Sequence, residues 1–228
     1  MATTQETHIR QRATLLDWLH GQGWFNAIRA LHFAEEYHCG FRKDGITPEF
    51  SHQVHIALYL TTLAPYFRHG EEVIATALLH DVCEDYDVTF EEIGASFGLI
   101  VRKSVTAMTK DYQGERLPAE HVTQLQADDE IASISKGADR IHNQSTAIGV
   151  FSASKIEEYV EETRSYILPM LKAARKNFPH QSGAYQNIKT VLTSQVAALE
   201  ALTVQERIAH ENPGSSTDGH RLVASSRR

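Results

Sequence analysis

This sequence predicts an all-α fold built around one core. Three observations lead there: apolar residues return at helical spacing through most of the chain, no segment alternates apolar and polar residues as a strand does, and no unit repeats at a fixed period. With 228 residues the chain has the length of one domain and enough interior to bury roughly 70% of its unfolded surface.

The elements follow in order. Leu15, Leu16 and Leu19 share one side of a helix expected over residues 9–19, which the breaker Gly21-Gln22-Gly23 ends. Ile28, Leu31, Phe33 and Ala34 mark a second helix over residues 25–37. Gly40, Gly45 and Pro48 interrupt any period between residues 40 and 50, so that stretch is a loop, with Arg42 and Lys43 exposed on it. Ser51 is the expected N-cap of a third helix, whose Val54, Ile56, Leu58, Leu60 and Leu63 call for burial nearly all round and which carries His52 in its first turn.

Val73, Ile74, Ala77 and Leu78 form one apolar face of a fourth, half-buried helix, entered through Glu71 and Glu72 and running on through His80-Asp81-Val82-Cys83-Glu84-Asp85. Thr89-Phe90-Glu91-Glu92 is a capping box for a short helix that Gly98 stops after Phe97. A further helix covers residues 100–108, and residues 110–117, with Gly114 inside and Pro118 after, read as irregular. From Asp128 the spacing of Ile131, Ile134, Ala138 and Ile141 is helical, and Asp139, Arg140, His142 and Asn143 ride on that helix. Ser154 is expected to cap a long helix that Pro169 must kink or break near Leu168. The last helix, residues 185–210, buries Ile188, Val191, Leu192, Val196 and Leu199. The domain plan is an N-terminal helix within residues 1–24, a core over 25–178, a C-terminal helix over 179–211 packed on it, and a disordered tail over 212–228.

Composition excludes several classes of function. A formal charge of −7 gives no basic excess for an extended nucleic-acid surface. No apolar run is long enough to span a bilayer, and the polar N-terminus has no signal-peptide character, so a cytoplasmic protein is expected. Cys39 and Cys83 have no CxxC or repeated spacing, which argues against a disulfide framework or a zinc knuckle and suits a reducing compartment. A homo-oligomer stays open, with the last helix as core or interface.

His52, His80, Asp81 and Asp139 each sit near a helix end or on a polar stripe of an apolar helix, and together they make a candidate set for one metal ion. Two imidazoles with two carboxylates suit a Mn²⁺- or Fe²⁺-like ion that keeps water, because a structural zinc site more often recruits cysteine. His80 and Glu84 are four residues apart, as are Asp81 and Asp85, which lines each pair up along a helix. Glu84 and Asp85, with Asp87 nearby, also gather like charge, which costs stability unless a cation or a catalytic task holds it there.

Five separated segments now add a resemblance: Phe41-Arg42-Lys43-Asp44-Gly45; His52; Leu78 through Asp85; Thr89 through Ile93 with Phe97-Gly98; and Ala138-Asp139-Arg140-Ile141-His142-Asn143 with Thr146. In that order they resemble the HD-type hydrolase domain of the RelA/SpoT family, over about residues 30–171. The resemblance implies an HD-type helical bundle that removes pyrophosphate from the 3′ position of the guanosine alarmones ppGpp and pppGpp. It implies His52, His80, Asp81 and Asp139 as ligands of a divalent metal, most simply Mn²⁺, with Glu84 and Asp85 handling the attacking water. Arg42 and Lys43 are then the loop that meets the nucleotide, and Asn143 and Thr146 contact its sugar and phosphate. Gln53 stands where the family usually has proline, and Gln144-Ser145 where it has Met-Arg, changes that bear on base recognition rather than on the metal. With no nucleotide-transfer domain following, the likeness is to the stand-alone small alarmone hydrolases. Alternative readings are a phosphohydrolase for another nucleotide or a 2′- or 3′-phosphorylated cofactor, and a binding protein that senses a nucleotide or neutralises a toxic partner.

Overall fold

The computed structural model describes residues 3–211, so the tail expected over 212–228 lies outside the described residues. The chain opens with α1 (Thr4–Gln22), α2 (Phe25–Tyr37), α3 (Ser51–Thr61), α4 (Gly70–Leu79), α5 (Val82–Asp85), α6 (Phe90–Phe97) and α7 (Leu99–Met108). A small hairpin, β1 (Asp111–Tyr112) and β2 (Glu115–Arg116), leads to α8 (Ala119–Ala127), α9 (Glu130–Ser145), α10 (Ala153–Glu162), α11 (Leu168–Asn177) and α12 (Ser182–Glu211). The all-α expectation holds. No helix among the described residues is long and apolar enough to cross a membrane.

Helix α4 is the central rod, packed by α2, α3, α7 and α9. Val73 through Leu79 are all buried, more than the half-buried amphipathic helix the sequence pattern suggests, because Ala75, Thr76 and Leu79 also meet neighbours. One large core joins it to Leu15, Leu19, Leu31, Phe50, Leu60, Ile134, Tyr185 and Ile188. A smaller cluster of Ala147, Ile156, Val160, Val196 and Leu199 fastens α10 to α12. Glycine is required where α9 passes α11 and α12: a Cβ on Gly137 would lie 2.7 Å from Ile188 Cγ2 and 3.2 Å from Leu171 Cδ2.

Several local expectations are met and others are corrected. Thr89 and Glu92 form the capping box reciprocally, and Gly98 ends α6 at φ 94°. A second box, Thr3 with Glu6, starts α1 earlier than its apolar pattern reveals. Ser51 is not a cap: Phe50 holds that place, and the Ser51 hydroxyl is buried without a hydrogen-bond partner. Ser152 rather than Ser154 caps α10 by accepting from Lys155 N, and Asp129 caps α9, which starts at Glu130. The stretch read as irregular contains the hairpin, turned by Gln113 and Gly114 at φ 50° and 83°, a pair of positive angles suited to a tight two-residue turn. Helix α8 follows it, unmarked in the sequence reading. Pro169 does not break the helical path: it sits in the first turn of α11, which follows α10 through a π-helical turn with helical dihedral angles at Glu162, Thr163, Ile167 and Leu168. It has no N–H to donate and its ring crowds the carbonyl four residues back, and a π-helical turn over Thr163–Ile167 absorbs the mismatch.

One contact ties α4 to the start of α2. Trp24 has no side chain to cap α2, and Glu71 from α4 does so instead, accepting from Asn26 N at 2.6 Å and Ala27 N at 3.2 Å. Glu71→Ala leaves two helix N–H groups unmatched, so urea denaturation is expected to show a loss of about 1–2 kcal/mol with the helical circular dichroism retained.

Candidate functional site

The long apolar rod α4 stops where polar chemistry begins. His80 and Asp81 keep helical dihedral angles but leave the regular ladder, and a new turn, α5, starts from Asp81, whose carbonyl accepts from Glu84 N at 3.1 Å and Asp85 N at 2.8 Å. The helix predicted to run unbroken through residue 85 is therefore interrupted at the His-Asp pair. Helix α3 brings His52 and α9 brings Asp139 to the same place.

The structure gathers the four metal candidates. Ligand-type atoms of His52, His80 and Asp81 all lie within 4.8 Å of one another. His80 Nε2 is 3.0 Å from Asp81 Oδ2, and His52 Nε2 is 3.8 Å from it. Asp139 Oδ1 is 3.2 Å from His52 Nε2 and 3.9 Å from His80 Nε2. His80 Nδ1 lies 2.9 Å from the Ala77 carbonyl, so the ring hydrogen belongs there and the Nε2 lone pair faces the cluster. That Nε2 is buried and, despite its closeness to Asp81, has no partner in hydrogen-bond geometry. An orphaned imidazole nitrogen aimed at two carboxylates and a second imidazole fits a divalent cation.

Without a cation these groups compensate one another. Burial opposes charge on His80, but Asp81 and then Asp139 outweigh it and push the imidazole up to about 9. Burial likewise opposes charge on Asp81, and His80 with His52 overcomes it, holding that carboxyl below the usual range. Asp139 is also held well below it: burial is outweighed by Lys136, the His52 hydrogen bond and His80. Lys136 Nζ donates to Asp139 Oδ2 at 2.7 Å and Asn143 Nδ2 to Oδ1 at 2.6 Å. Burial lowers His52 more than Asp139 raises it. Its Nδ1 is 2.8 Å from His142 Nδ1, and His142 is pushed down to about 2 by burial and then by His52, His55 and Arg42. A neutral His142 can accept the His52 hydrogen and leave His52 Nε2 free to ligate.

The cluster lines a cavity of about 200 Å³ together with Glu84, Asp85, Lys110 and Lys136. Glu84 is tied to the start of the hairpin loop: its Oε2 accepts from Lys110 N at 3.2 Å, and Lys110 Nζ stands 3.5 Å from Oε1. Burial, then Asp81, Glu84 and Glu49, push Asp85 up to about 6.

A second cavity, about 340 Å³, opens beside the first and shares Arg42, Glu49 and Asn143 with it. Its wall is the loop after α2, shaped by Asp44, which accepts from Ile46 N and Thr47 N at 2.9 and 2.8 Å. Arg42 Nη2 reaches Asn143 Oδ1 at 3.5 Å. Lys43 Nζ lies 5.1 Å from the Phe151 ring centre, within cation–π range. Thr146 also lines this cavity, with its hydroxyl bonded back to the His142 carbonyl at 3.1 Å. Arg140 turns away, donating to Glu162 Oε2 at 2.8 Å and stacking on Tyr159, as a residue that ties carboxylates rather than touching a ligand.

All ten sequence-chosen residues line one cavity or the other. Reading the sequence assigned no role to His142 and did not mark Lys136, His55, Phe151 or Tyr159, all of which line the cavities. The spacing of Lys136, three residues before Asp139, is a usable signal. Phe151 arrives through the α9–α10 connection and Tyr159 on α10 itself, and neither carries a local mark.

A family model described as an HD domain matches residues 30–126. A guanosine-3′,5′-bis(diphosphate) 3′-pyrophosphohydrolase, MESH1, of Danio rerio is 34% identical over 150 residues, 59% of this chain and 78% of the relative. The chain belongs to the RelA/SpoT-type HD-domain family. A relative from Aquifex aeolicus, described with the same activity, is 34% identical over 149 residues, 62% of this chain but 20% of the relative. A GTP pyrophosphokinase rsh of Brucella abortus is 32% identical over 150 residues, 62% of this chain and 19% of its own. This HD-domain chain thus spans about a fifth of the long bacterial relatives. A solved structure described as a metazoan SpoT orthologue that hydrolyses ppGpp shares the fold, with a TM-score of 0.54 at 24% identity, over 72% of this chain and 93% of that one.

A cation held through His80 Nε2 would require that ring neutral. In metal-free HD-domain protein the His80–Asp81 pair contributes stability that is present below the ordinary histidine range and is lost as pH rises through about 9. Metal affinity is therefore expected to rise from pH 6.5 to 8.5, by at most roughly tenfold per unit for one released proton, in a calorimetric titration with Mn²⁺.

Proposed function

We propose that this chain is a cytoplasmic, metal-dependent hydrolase that cleaves the 3′-ester of ppGpp or pppGpp and releases pyrophosphate with GDP or GTP, using Mn²⁺. The observation that carries the reading is the pair of adjoining cavities, one walled by Arg42, Lys43 and aromatic rings, the other floored by the histidine-carboxylate cluster, with Arg42 and Asn143 shared between them. That arrangement suits a nucleoside in the first and its 3′-phosphates in the second. The relatives described as 3′-pyrophosphohydrolases support the substrate class. Two free thiols suit a reducing compartment.

His52, His80, Asp81 and Asp139 hold the cation in this reading. When bound, a divalent ion supplies positive charge beside the phosphates and acidifies water near neutral pH. The chain's own residues do the rest. Arg42 forks onto phosphate oxygens or stacks on the purine, and Lys43 adds a compact charge. Asn143, fixed by its bond to Asp139, offers its amide to the ribose edge, and Thr146 meets the sugar and phosphate. Glu84, oriented by Lys110, takes the proton from the attacking water while Asp85 completes the acidic wall. The water oxygen bonds to phosphorus as the bond from phosphorus to the 3′ oxygen breaks, and that oxygen leaves with the proton Glu84 took from the water.

Incubating purified protein with Mn²⁺ and ppGpp and separating the products should give GDP and pyrophosphate, abolished reversibly by chelator. Release of another phosphate, or full turnover by metal-free protein, rejects the reading. Glu84→Gln keeps the shape and loses the base, so kcat is expected to fall by about 10² to 10⁴ with metal content unchanged. Arg42→Ala is expected to act mainly on KM, because the guanidinium binds ground and transition states alike.

A further inference from the structure

A second set of ligand-type atoms lies one amide away from the first. His38 follows the last turn of α2, Glu49 comes from the loop before α3 and Asp85 ends α5; atoms of all three lie within 4.8 Å of one another. His38 is 3% exposed, and its Nδ1 is buried without a hydrogen-bond partner among the described residues. The nearest acceptor, Glu49 Oε1, is 3.7 Å away, beyond hydrogen-bond reach. Glu49 is nonetheless held in place. Its Oε2 accepts from Gly40 N at 3.2 Å and from the Tyr86 hydroxyl at 3.1 Å, which leaves Oε1 turned toward His38. A buried, unmatched imidazole nitrogen facing two carboxylates is costly as it stands.

We propose that His38 Nδ1, Glu49 and Asp85 hold a second divalent cation beside the first. One imidazole and two carboxylates select an ion that accepts mixed nitrogen and oxygen ligands and keeps open positions, such as Mn²⁺ or Zn²⁺. Ligation through Nδ1 leaves the ring hydrogen on Nε2, which lies 3.3 Å from the Gln53 amide. Turning that amide over presents Gln53 Oε1, otherwise buried and unpartnered, as the acceptor. The turn gives up the long 3.4 Å bond from Gln53 to Asp81 Oδ2 and sets two acceptors side by side there, a cost that a cation held by His80 and Asp81 would offset. Gln53 thereby links the two sites. Glu49 lines both cavities, so a cation here stands where nucleotide phosphates pass, a consequence that rests on the hydrolase reading. Asp85 then serves as a ligand, and proton handling falls to Glu84 alone.

The test is metal content of the purified full chain, equilibrated with saturating Mn²⁺ and read by mass spectrometry and calorimetry without substrate. Two equivalents are expected in the parent, one in His38→Ala, one in His80→Ala and none in the double variant. If His38→Ala fails to fold, the isosteric Glu49→Gln reads the same site, with affinity for the second equivalent reduced at least about tenfold. One equivalent in the parent, or two retained in both His38→Ala and Glu49→Gln, overturns the proposal. Two equivalents without ppGpp turnover uphold the second cation and reject the hydrolase reading, so the two fail separately.

Discussion

The site depends on keeping one carboxylate, Asp139, ionised in the interior. It is 4% exposed, and an unpaired charge there is too costly to persist. Lys136, Asp139 and Asn143 follow one another at three- and four-residue steps on one face of α9, so the helix supplies the ammonium and the amide that hold Asp139 from its own surface. His52 completes the cage from α3. With both oxygens engaged, the carboxylate is presented in a fixed direction to the two imidazoles, which is what a ligand needs and a solvated aspartate lacks.

The same economy governs α4. Its buried stretch is apolar but for Thr76, and burial on every side fixes its position more firmly than an amphipathic surface helix is fixed. The cost of that burial appears at its end, where the chain must change from an apolar rod to a polar cluster. The break at His80-Asp81 accomplishes this: the His80 ring turns back onto the Ala77 carbonyl, and Asp81 starts a new turn. Glu49, Asp81, Glu84, Asp85 and Asp139 then line a small cavity in which they outnumber Arg42, Lys110 and Lys136, a balance that favours added positive charge.

Neighbouring cavities turn the cluster into a directed site. Arg42, Glu49 and Asn143 form their common wall, so anything bound in one is felt in the other. The loop after α2 owes its shape to the Asp44 turn, and the far wall owes its place to the small core under α10 and α12. Stability elements far from the cluster therefore set the distance between the two cavities.

Much of this was legible from residue order alone. Helical periodicity predicted the fold class and most helices, because burial of one face leaves a local trace in the sequence. The His-Asp dipeptide, Glu84-Asp85 and the Asp139–Asn143 spacing were also visible, since i, i+4 geometry is local. Other features depend on groups far apart in the chain. Glu71 caps a helix 45 residues away, His142 supports His52 across 90, and Phe151 and Tyr159 reach a cavity that no nearby pattern marks. Caps shifted by a residue or two because several hydroxyls compete for one helix end and packing chooses among them. The sequence by itself determined that the chain is helical and singled out side chains that the fold gathers around two adjoining cavities. Only the tertiary structure decided that α3, α4 and α9 cross with their polar ends together, leaving His80 and His38 each a buried nitrogen without a partner, because burial and mutual distance belong to the packed interior and not to the chain.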